Sequence, residues 1–376
     1  MDLSDIRLRI DEIDEKLVAL FCERMGLSKE VAIYKALTGT PILNVARERE
    51  ILKKVCEQAG ENAPYAHRLY TMIFELSRAL QQANIPQKTS VRAEIENSKH
   101  IASFPKNGMI ACQGVEGAYG QMAADRMFPQ GNLVYFKSFE AVFNAVESGL
   151  CDFGIIPIEN SSNGSVRETY DLLQKKHCKV VRSERLCIRH ELMAKPGTAL
   201  KDIKKILSHE QALGQCSKFL KSLGDIEIIP VANTAMAAKA VAEAEDNSVA
   251  AIASHSTAKI YGLESVANGI MDSDNNYTRF VCIAREHQLY PGADHVGLIL
   301  ALEHKPGALY DVLAKLSALE VNLIKLESCP IAGHDFEFMF FFEMQADVTD
   351  PKILGMLEAI ESASEEFIYL GNYLEC

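Results

Sequence analysis

The chain lacks several features that would assign it to a membrane, a secretory route or a nucleic-acid partner. Its first residues, Met1 to Asp5, contain no basic stretch followed by an apolar one, so we expect no secretory signal. The longest apolar runs, such as Val296 to Leu302, have the length of a strand and fall far short of a membrane span. Positive charge is not in excess, because 39 Lys and Arg stand against 51 Asp and Glu, which gives a net charge of −12. This balance favours binding to neither nucleic acid nor anionic lipid.

Cysteine and histidine are present without the spacing that a metal or redox site requires. The ten cysteines include no C-x-x-C pair, and the ten histidines show no ligand spacing. Buried, reduced cysteines in a cytoplasmic protein are the simplest interpretation. We therefore expect no metal and no organic cofactor.

The length and the residue pattern indicate a multidomain protein. With 376 residues, 48% of them hydrophobic, two or three compact units are expected. Residues 1–86 have the pattern of an all-α unit, because apolar residues recur at alternating spacings of three and four and Thr38-Gly39-Thr40-Pro41 ends a long first helix. Further helices are predicted at about 45–59 and 65–83. Residues 87–107 are polar and contain prolines, which is typical of a linker.

Short β-branched runs alternate with helical patterns from Met109 onwards, which predicts a doubly wound, two-lobed α/β unit over residues 108–285. Residues 294–376 have a strand-helix-strand-strand-helix-strand order, which is typical of a ferredoxin-like α+β unit. The strands predicted in the α/β unit are 109–112, 133–136, 153–157, 178–188, 226–230, 249–252 and 279–284.

Two cations share one face of the long first helix. Arg24 occupies a position where the repeat calls for an apolar residue, and Lys35, eleven residues on, lies roughly 20° away around the axis. The pair indicates an anion site inside the bundle, although Arg24 alone would also fit an arginine extended along the helix edge. Arg7 lies about 25 Å along the axis from Arg24, so we expect it to serve a site in a partner chain. Ser77 and Gln81 are i, i+4 neighbours on the third helix.

The spacing of these residues resembles that of the all-helical chorismate mutase family. The resemblance rests on Ile6-Arg7-x-x-Ile10-x-x-Ile13-Asp14-x-x-Leu17, followed by Arg24, Lys35, Arg47-Glu48 and Ser77-x-x-x-Gln81. It implies that Arg24 and Arg7 of the partner subunit hold the carboxylates of chorismate. It further implies that Lys35 and Gln81 donate hydrogen bonds to the ether oxygen of the breaking bond. The other substrate-binding residues that it implies are Asn44, Arg47, Glu48 and Ser77.

The chemistry of this rearrangement suits such a residue set. It needs no nucleophile and no proton transfer, but it needs one substrate conformer held in place and donors directed at developing negative charge. The neutral amide of Gln81 meets that need at any pH. Asn44 stands where bifunctional relatives carry aspartate, so it would bond a substrate hydroxyl without contributing a charge.

Small neutral polar residues occupy four predicted strand-to-helix junctions of the α/β unit. Such residues cap helices, but helix N-termini that meet in a cleft also bind carboxylates. Taken alone, the junctions fit a small-anion binding protein as well as an enzyme. They are 113–119, 159–165, 208–211 and 233–234.

The most specific motif in the chain is Asn276-Tyr277-Thr278-Arg279-Phe280. Together with Pro157-Ile158-Glu159-Asn160-Ser161 and Ser208-His209-Glu210-Gln211-Ala212-x-x-Gln215-Cys216, it resembles prephenate dehydratase over 108–285. The resemblance implies a periplasmic-binding-protein-like fold and the conversion of prephenate to phenylpyruvate, with Thr278 essential. The threonine hydroxyl is too weak an acid to protonate freely, so we interpret it as a positioned donor to the leaving oxygen. The substrate-binding residues that it implies are Glu159, Asn160, Ser161, Gln215 and Arg279.

Some roles within this motif remain open. Arg279 would either fix a substrate carboxylate or orient the threonine loop, and Phe280 would pack the strand. Glu159 is an alternative proton donor for the leaving hydroxyl.

The last unit resembles an ACT domain, the amino-acid-sensing module that follows dehydratase domains. Pro306-Gly307-Ala308-Leu309 opens a helix directly after a strand, where free N–H groups can receive a carboxylate. The resemblance implies feedback inhibition by phenylalanine. Cys329 replaces the arginine of the usual Glu-Ser-Arg-Pro, which would weaken that sensitivity. The implied effector-binding residues are Gly307, Ala308, Leu309, Asn322, Glu327 and Ser328.

These features favour a cytoplasmic homodimer or larger homo-oligomer that takes chorismate to prephenate and on to phenylpyruvate. One alternative keeps only the dehydratase and makes the helical unit a degenerate dimerisation module. Another is a non-catalytic amino-acid or dicarboxylate sensor, although Thr278-Arg279 beside a cationic helical pocket would then have no explanation.

Overall fold

The computed structural model describes residues 2–83, 89–330 and 338–376. Its first element is the 36-residue helix α1 (Leu3–Thr38), which begins with a capping box between Asp2 and Asp5. The helix ends at Gly39, whose φ of 67° is the left-handed conformation that glycine adopts without strain. The break predicted at 38–41 is therefore confirmed.

Three further helices follow: α2 (Val45–Ala59), α3 (Ala63–Ala83) and α4 (Ser90–Glu96). Helix α4 lies inside the segment that the sequence analysis interpreted as a linker. It forms because Val91 and Ile95, four residues apart, bury one face, while Thr89 caps its start. No helix in the described ranges combines the length and apolar composition that crossing a bilayer takes.

The central region alternates strands with helices, as predicted. Its strands are β1 (Lys99–His100), β2 (Asn107–Gln113), β3 (Gln130–Phe136), β4 (Phe153–Asn160), β5 (Gly164–Ser165), β6 (Lys179–Cys187), β7 (Glu191–Ala194), β8 (Lys205–Ser208), β9 (Glu227–Pro230), β10 (Val249–Ala253), β11 (Glu264–Ala267), β12 (Tyr277–Ala284) and β13 (Gln288–Leu289). Its helices are α5 (Tyr119–Met127), α6 (Phe139–Glu147), α7 (Arg167–Lys175), α8 (Glu210–Gln215), α9 (Ser217–Ser222), α10 (Thr234–Glu243) and α11 (His255–Tyr261).

The C-terminal region contains β14 (His295–Ala301), α12 (Ala308–Ala318), β15 (Asn322–Pro330), β16 (Phe338–Gln345), α13 (Pro351–Glu361) and β17 (Glu366–Glu375). This strand-helix-strand-strand-helix-strand order is the one that the sequence predicted. The strands neighbour one another in the order β15-β16-β14-β17.

Residue contacts divide the chain into two compact units. Unit 1 contains Met1–Asn97 and Val296–Tyr369, and unit 2 contains Ser98–His295 and Leu370–Cys376. Unit 1 thus combines the N-terminal helices with most of the C-terminal region. Strand β17 passes from one unit into the other.

Unit 2 is built on two sheets, which gives it the predicted two lobes. One sheet has the order β11-β7-β10-β8-β9, and the other runs β6-β12-β4-β2-β3. In the first, β8, β9 and β10 are parallel, and in the second, β2, β3 and β4 are parallel. The carboxyl ends of parallel strands are where open α/β sheets bind ligands. These ends therefore position the candidate site.

Candidate active sites

A polar cluster, here called the Arg24 cluster, lies where α1 packs against α3 in unit 1. Nη1 of Arg24 donates a hydrogen bond to Oγ of Ser77 (2.8 Å), and Nζ of Lys35 donates to Oε1 of Gln81 (3.2 Å). Ser77 and Gln81 are buried, while the two cations are partly exposed. The structure thus brings together four residues that the sequence predicted to share a site.

The charges around this cluster are balanced by Glu48, which the sequence predicted, and by Glu75 and Arg78, which it did not. Burial lowers the pKa of Lys35, and the carboxylate of Glu48 opposes that shift. Glu48 itself pairs with Arg78, which also pairs with the buried Glu75. The i, i+3 spacing of Glu75 and Arg78 is visible in the sequence, but their closeness to Glu48 depends on how α2 packs against α3.

Three other predicted residues have different surroundings. Asn44 caps α2, because its Oδ1 accepts the N–H of Arg47 (3.0 Å). The guanidinium of Arg47 pairs with Glu50 at 2.7 Å, and both side chains are largely exposed. Arg7 is exposed on the first part of α1. Within one chain, Arg7 is therefore not brought to the Arg24 cluster.

A second site, here called the Thr278 cavity, lies between the two sheets of unit 2. Its volume is about 430 Å³. All four predicted polar junctions contribute to its wall, and the junction 159–165 does so through Asn160 at the end of β4. The wall includes Gln113, Tyr119, Asn160, His209, Gln211, Gln215, Asn233, Thr234 and Thr278.

The hydrogen bonds of Asn160 fix the role of the Thr278 hydroxyl. Oδ1 of Asn160 accepts the backbone N–H groups of Ser162 (3.0 Å) and Asn163 (3.1 Å), which defines the orientation of the amide. Its Nδ2 therefore donates to Oγ1 of Thr278 at 2.9 Å. Because the threonine oxygen is an acceptor in this bond, its own proton remains available for another acceptor in the cavity.

A chain of amides continues from Asn160 into the cavity wall. Nδ2 of Asn160 also donates to Oδ1 of Asn276 (2.9 Å), and Nδ2 of Asn276 donates to Oε1 of Gln215 (2.9 Å). Every member of this network is neutral. The predicted residue Ser161 lies at its edge, where it accepts the N–H of Tyr277 at 2.9 Å.

His190 extends the network and was not selected from the sequence. Burial lowers its pKa to about 4, so the imidazole is neutral at pH 7. Its Nε2 is 3.1 Å from Oε1 of Gln215, which can only accept, so Nε2 carries the proton. Nδ1 is then an acceptor, 3.1 Å from the hydroxyl of Tyr119. A lone histidine outside any motif carried no signal in the sequence.

Lys137 is the second contributor that sequence reasoning missed. Of the described residues that line the Thr278 cavity, it alone is a lysine or arginine. It directly follows β3, and the next residue, Ser138, caps α6. A signal did exist, since the residues after a parallel strand are expected at the ligand-binding edge.

Arg279 and Glu159 face each other rather than Thr278. Successive side chains of β12 point to opposite sides, so Thr278 and Phe280 line the cavity while Arg279 lies on the other face. Nη2 of Arg279 is 3.3 Å from Oε2 of Glu159. This arrangement supports the orienting role for Arg279 more than direct contact with substrate.

Two of the predicted effector residues line a separate cavity in unit 1. Ala308 and Leu309 line a space of about 470 Å³ together with Phe338 and Phe340. Gly307 begins α12 with a φ of 91°, which favours glycine. The others lie on β15. Ser328 is the cross-strand neighbour of Phe340, Asn322 is opposite Gln345, and Glu327 is opposite Phe341.

Comparisons with known proteins match both sites. The prephenate dehydratase family model matches residues 110–288, and the chorismate mutase type II model matches residues 6–82. The chain is 32% identical over 383 residues to a bifunctional chorismate mutase/prephenate dehydratase of Escherichia coli, an alignment that covers 99% of this chain and 96% of the relative. It is 35% identical over 311 residues to arogenate dehydratase/prephenate dehydratase 2 of Arabidopsis thaliana, covering 79% of this chain and 81% of the relative.

A solved structure of similar fold is the prephenate dehydratase of Arthrobacter aurescens in complex with L-Phe. It has a TM-score of 0.65 and 27% sequence identity, and the match covers 70% of this chain and 89% of that chain.

Proposed function

Because the chain belongs to the family of bifunctional chorismate mutase/prephenate dehydratases, we propose that its two reactions take place at the Arg24 cluster and in the Thr278 cavity. The chain rearranges chorismate to prephenate, and it then dehydrates and decarboxylates prephenate to phenylpyruvate. The observation that carries the assignment of the second site is the hydrogen bond from Asn160 to Thr278. It leaves the threonine proton directed at substrate.

In the Arg24 cluster, cations and amides act without any proton transfer. Arg24 binds a carboxylate of chorismate, and Asn44, Arg47, Glu48 and Ser77 complete the substrate contacts. Lys35 donates to the ether oxygen. Oε1 of Gln81 accepts a hydrogen bond from Lys35. The Nε2 hydrogens of Gln81 can therefore donate to the same ether oxygen as Lys35. Two adjacent donors stabilise the negative charge that develops as the C–O bond breaks.

Arg7 serves this site from a second copy of the chain. Helix α1 exposes a long series of apolar side chains, which a paired helix from a partner would cover. A homodimer, or a larger assembly built on it, would therefore complete the site. The exposed apolar residues are Leu3, Ile6, Ile10, Ile13, Leu17, Leu20, Leu27 and Val31.

In the Thr278 cavity, the threonine hydroxyl donates to the ring hydroxyl of prephenate as the C–O bond breaks. The carboxylate leaves as carbon dioxide, and its bonding electrons enter the ring, which becomes aromatic. The departing hydroxide takes a proton from solvent and is released as water, so the Thr278 hydroxyl keeps its own proton. Asn160 and Gln215 belong to the polar wall, and Ser161 holds the segment before Thr278 by accepting the N–H of Tyr277. The Lys137 ammonium binds a substrate carboxylate. Glu159 fixes Arg279 rather than delivering the proton.

The C-terminal part acts as an ACT regulatory domain that binds phenylalanine. The strand-helix-strand-strand-helix-strand order and the cavity beside Ala308 and Leu309 support this proposal. So does the L-Phe complex of the Arthrobacter protein. We place the mutase domain at 1–86, the linker at 87–107, the dehydratase domain at 108–285 and the regulatory domain at 294–376, in a cytoplasmic protein.

One assay tests the function as a whole. Purified protein supplied with chorismate should release phenylpyruvate, and phenylalanine at millimolar concentration should slow that release and raise the melting temperature. If prephenate accumulates, only the first reaction is supported. If chorismate is not consumed but prephenate is, the helical unit is a dimerisation module.

A parallel reaction with arogenate tests the substrate of the second site. The Arabidopsis relative carries arogenate in its name, and arogenate differs from prephenate in bearing an amine on its side chain. A higher kcat/KM for arogenate than for prephenate would overturn the substrate proposed here.

A further inference from the structure

The last residues of β17 are built into unit 2. At Gly371 the backbone has a φ of 138°, and a side-chain Cβ there would lie 2.2 Å from the carbonyl oxygen of Val180. Only glycine permits such a close approach to β6. The position of β17 along β6 is therefore specified by the sequence.

Backbone hydrogen bonds hold the end of this strand in register with β6. Glu375 lies opposite Ser183 in a parallel pairing. The N–H of Cys376 donates to the carbonyl of Ser183 (2.9 Å), and the N–H of Arg185 donates to the carbonyl of Cys376 (3.1 Å). Both bonds are made by Cys376, the residue directly after Glu375, and with the strand pairing they fix where the Glu375 side chain begins.

The Glu375 carboxylate meets the arginine of the Thr278-Arg279-Phe280 motif. Its Oε2 is 3.3 Å from Nη1 of Arg279, and its Oε1 is 2.8 Å from Nη2 of Arg185. The Arg279 side chain is 6% exposed and that of Glu375 is 17% exposed. A guanidinium buried to this extent requires a neighbouring anion.

Arg279 is therefore held between two carboxylates, Glu375 on one side and Glu159 on the other. The residues next to this pair along the chain are Thr278 and Asn160, which share the hydrogen bond of the candidate site. The register between β12 and β4 also shifts between Arg279 and Phe280. A register irregularity beside a reacting group allows its position to vary unless another contact fixes it.

We propose that Glu375 is a positioning residue for the dehydratase reaction, acting through Arg279 to hold Thr278 and Asn160 at their hydrogen-bonding distance. This inference rests on the role proposed above for Thr278. Glu375 contacts no substrate. Its removal should therefore lower kcat for prephenate while leaving KM nearly unchanged, because alignment of the donor affects the transition state more than binding.

The test is Glu375→Gln in the full chain, which keeps the shape of the side chain and removes its charge. We expect kcat for prephenate to fall about tenfold with KM within about twofold, and chorismate turnover to stay unchanged. Glu375→Asp keeps the charge and should recover part of the lost rate. The matched control is Glu184→Gln on the neighbouring strand β6, which breaks an ion pair with Arg126 without removing a partner of Arg279.

An unchanged kcat in Glu375→Gln, or an equal loss in Glu184→Gln, would overturn the proposal. Should Glu375→Gln fold poorly, the double variant Arg279→Met/Glu375→Met removes both buried charges. A stable double variant with low kcat supports positioning, and one with native kcat refutes it. Thr278→Ala, assayed alongside, separates this outcome from a failure of the proposed function, because full activity in that variant would remove the premise itself.

Discussion

The two proposed sites, the Arg24 cluster and the Thr278 cavity, offer related anions different physical means of binding. In the cluster, the charge of the ligand is met by arginine and lysine side chains on helices whose apolar face is open to solvent. In the cavity, it is met by neutral amides, a hydroxyl and helix N-termini, with Lys137 as the cation of the wall. On the proposed assignment, a bound anion does not require a basic site. Oriented neutral donors perform the same task where burial strengthens them.

The two sites also differ in how much of each is supplied by one chain. The cavity is closed by two sheets of the same unit, so its network is complete as described. The Arg24 cluster lacks Arg7, which lies about 25 Å from Arg24 along the axis of α1. Changes to one site should consequently leave the other intact, and variants can test that independence.

Thr278→Ala is expected to separate the dehydratase activity from the mutase activity more strongly than any other change. Loss of the donor to the leaving oxygen should reduce phenylpyruvate formation by roughly 10²–10⁴-fold while chorismate is still converted to prephenate. Thr278→Ser, which keeps the hydroxyl, is the control and should retain much of the rate. Accumulation of prephenate, followed by its absorbance and by acid conversion, measures the effect. Near-normal release of phenylpyruvate would remove Thr278 from the mechanism.

The reciprocal change is Arg24→Ala. It removes a charge-assisted bond to a substrate carboxylate and the hydrogen bond from Arg24 to Ser77, so mutase kcat/KM should fall by roughly 10²-fold or more. Turnover of added prephenate should be unaffected. Lys29→Ala, an exposed cation on the same helix, provides the control. Equal chorismate consumption in both variants would show that the Arg24 cluster is not the mutase site.

Lys137→Met tests whether the cavity depends on a cation after all. A carboxylate contact from an exposed lysine predicts a rise of about tenfold in KM for prephenate with a smaller change in kcat. The kcat and KM for chorismate should not change. If KM is unchanged, neutral donors alone hold the substrate, and the contrast between the two sites becomes sharper.

The smallest expected effect is on the pH dependence of the stability of the folded protein. The pKa of His190 is about 4 in the folded protein, below the ordinary value of about 6.5 that we expect in the unfolded chain. The unfolded chain therefore binds a proton more readily. Neutral His190 makes its full contribution to the free energy of unfolding above pH 6.5. This contribution, up to about 3 kcal/mol, is lost as the pH falls towards 4.

Urea unfolding at pH 7, 6 and 5 measures this loss of stability. His190→Gln should show a shallower pH dependence than the native chain, although His287 shifts in the same direction and contributes its own share in both. Identical slopes would mean that His190 does not titrate with folding.

Sequence patterns predicted the long elements of this molecule better than the short ones. Helices α1 and α2 were placed within a residue or two because their periodicity and end signals extend over many residues. Strands β7, β8 and β11 were missed, since each has four residues and too few side chains to establish alternation. Helix α4 was missed because only Val91 and Ile95 mark its buried face.

The residues of the candidate sites likewise fall into those that the sequence predicted and those that it did not. Thr278, Arg24 and Gln81 belong to motifs with fixed spacing, so the sequence indicated them directly. His190 and Lys137 are single residues whose roles arise only when separate strands end at one cleft. The pairing of Glu375 with Arg279 joins residues 96 positions apart, and nothing in either local sequence predicts it.

The path of β17 has a consequence for the order in which the protein matures. The sheet of unit 2 is completed by Leu370–Cys376, and the ribosome must synthesise residues 296–369 before that segment exists. During translation the edge of β6 is therefore left unpaired after the rest of its lobe has emerged, a state open to incorrect strand addition. The N-terminal helices share unit 1 with Val296–Tyr369, so their unit is also completed late in synthesis, but it does not wait for Leu370–Cys376. The unit that contains the Thr278 cavity is thus the later of the two to have all of its residues available.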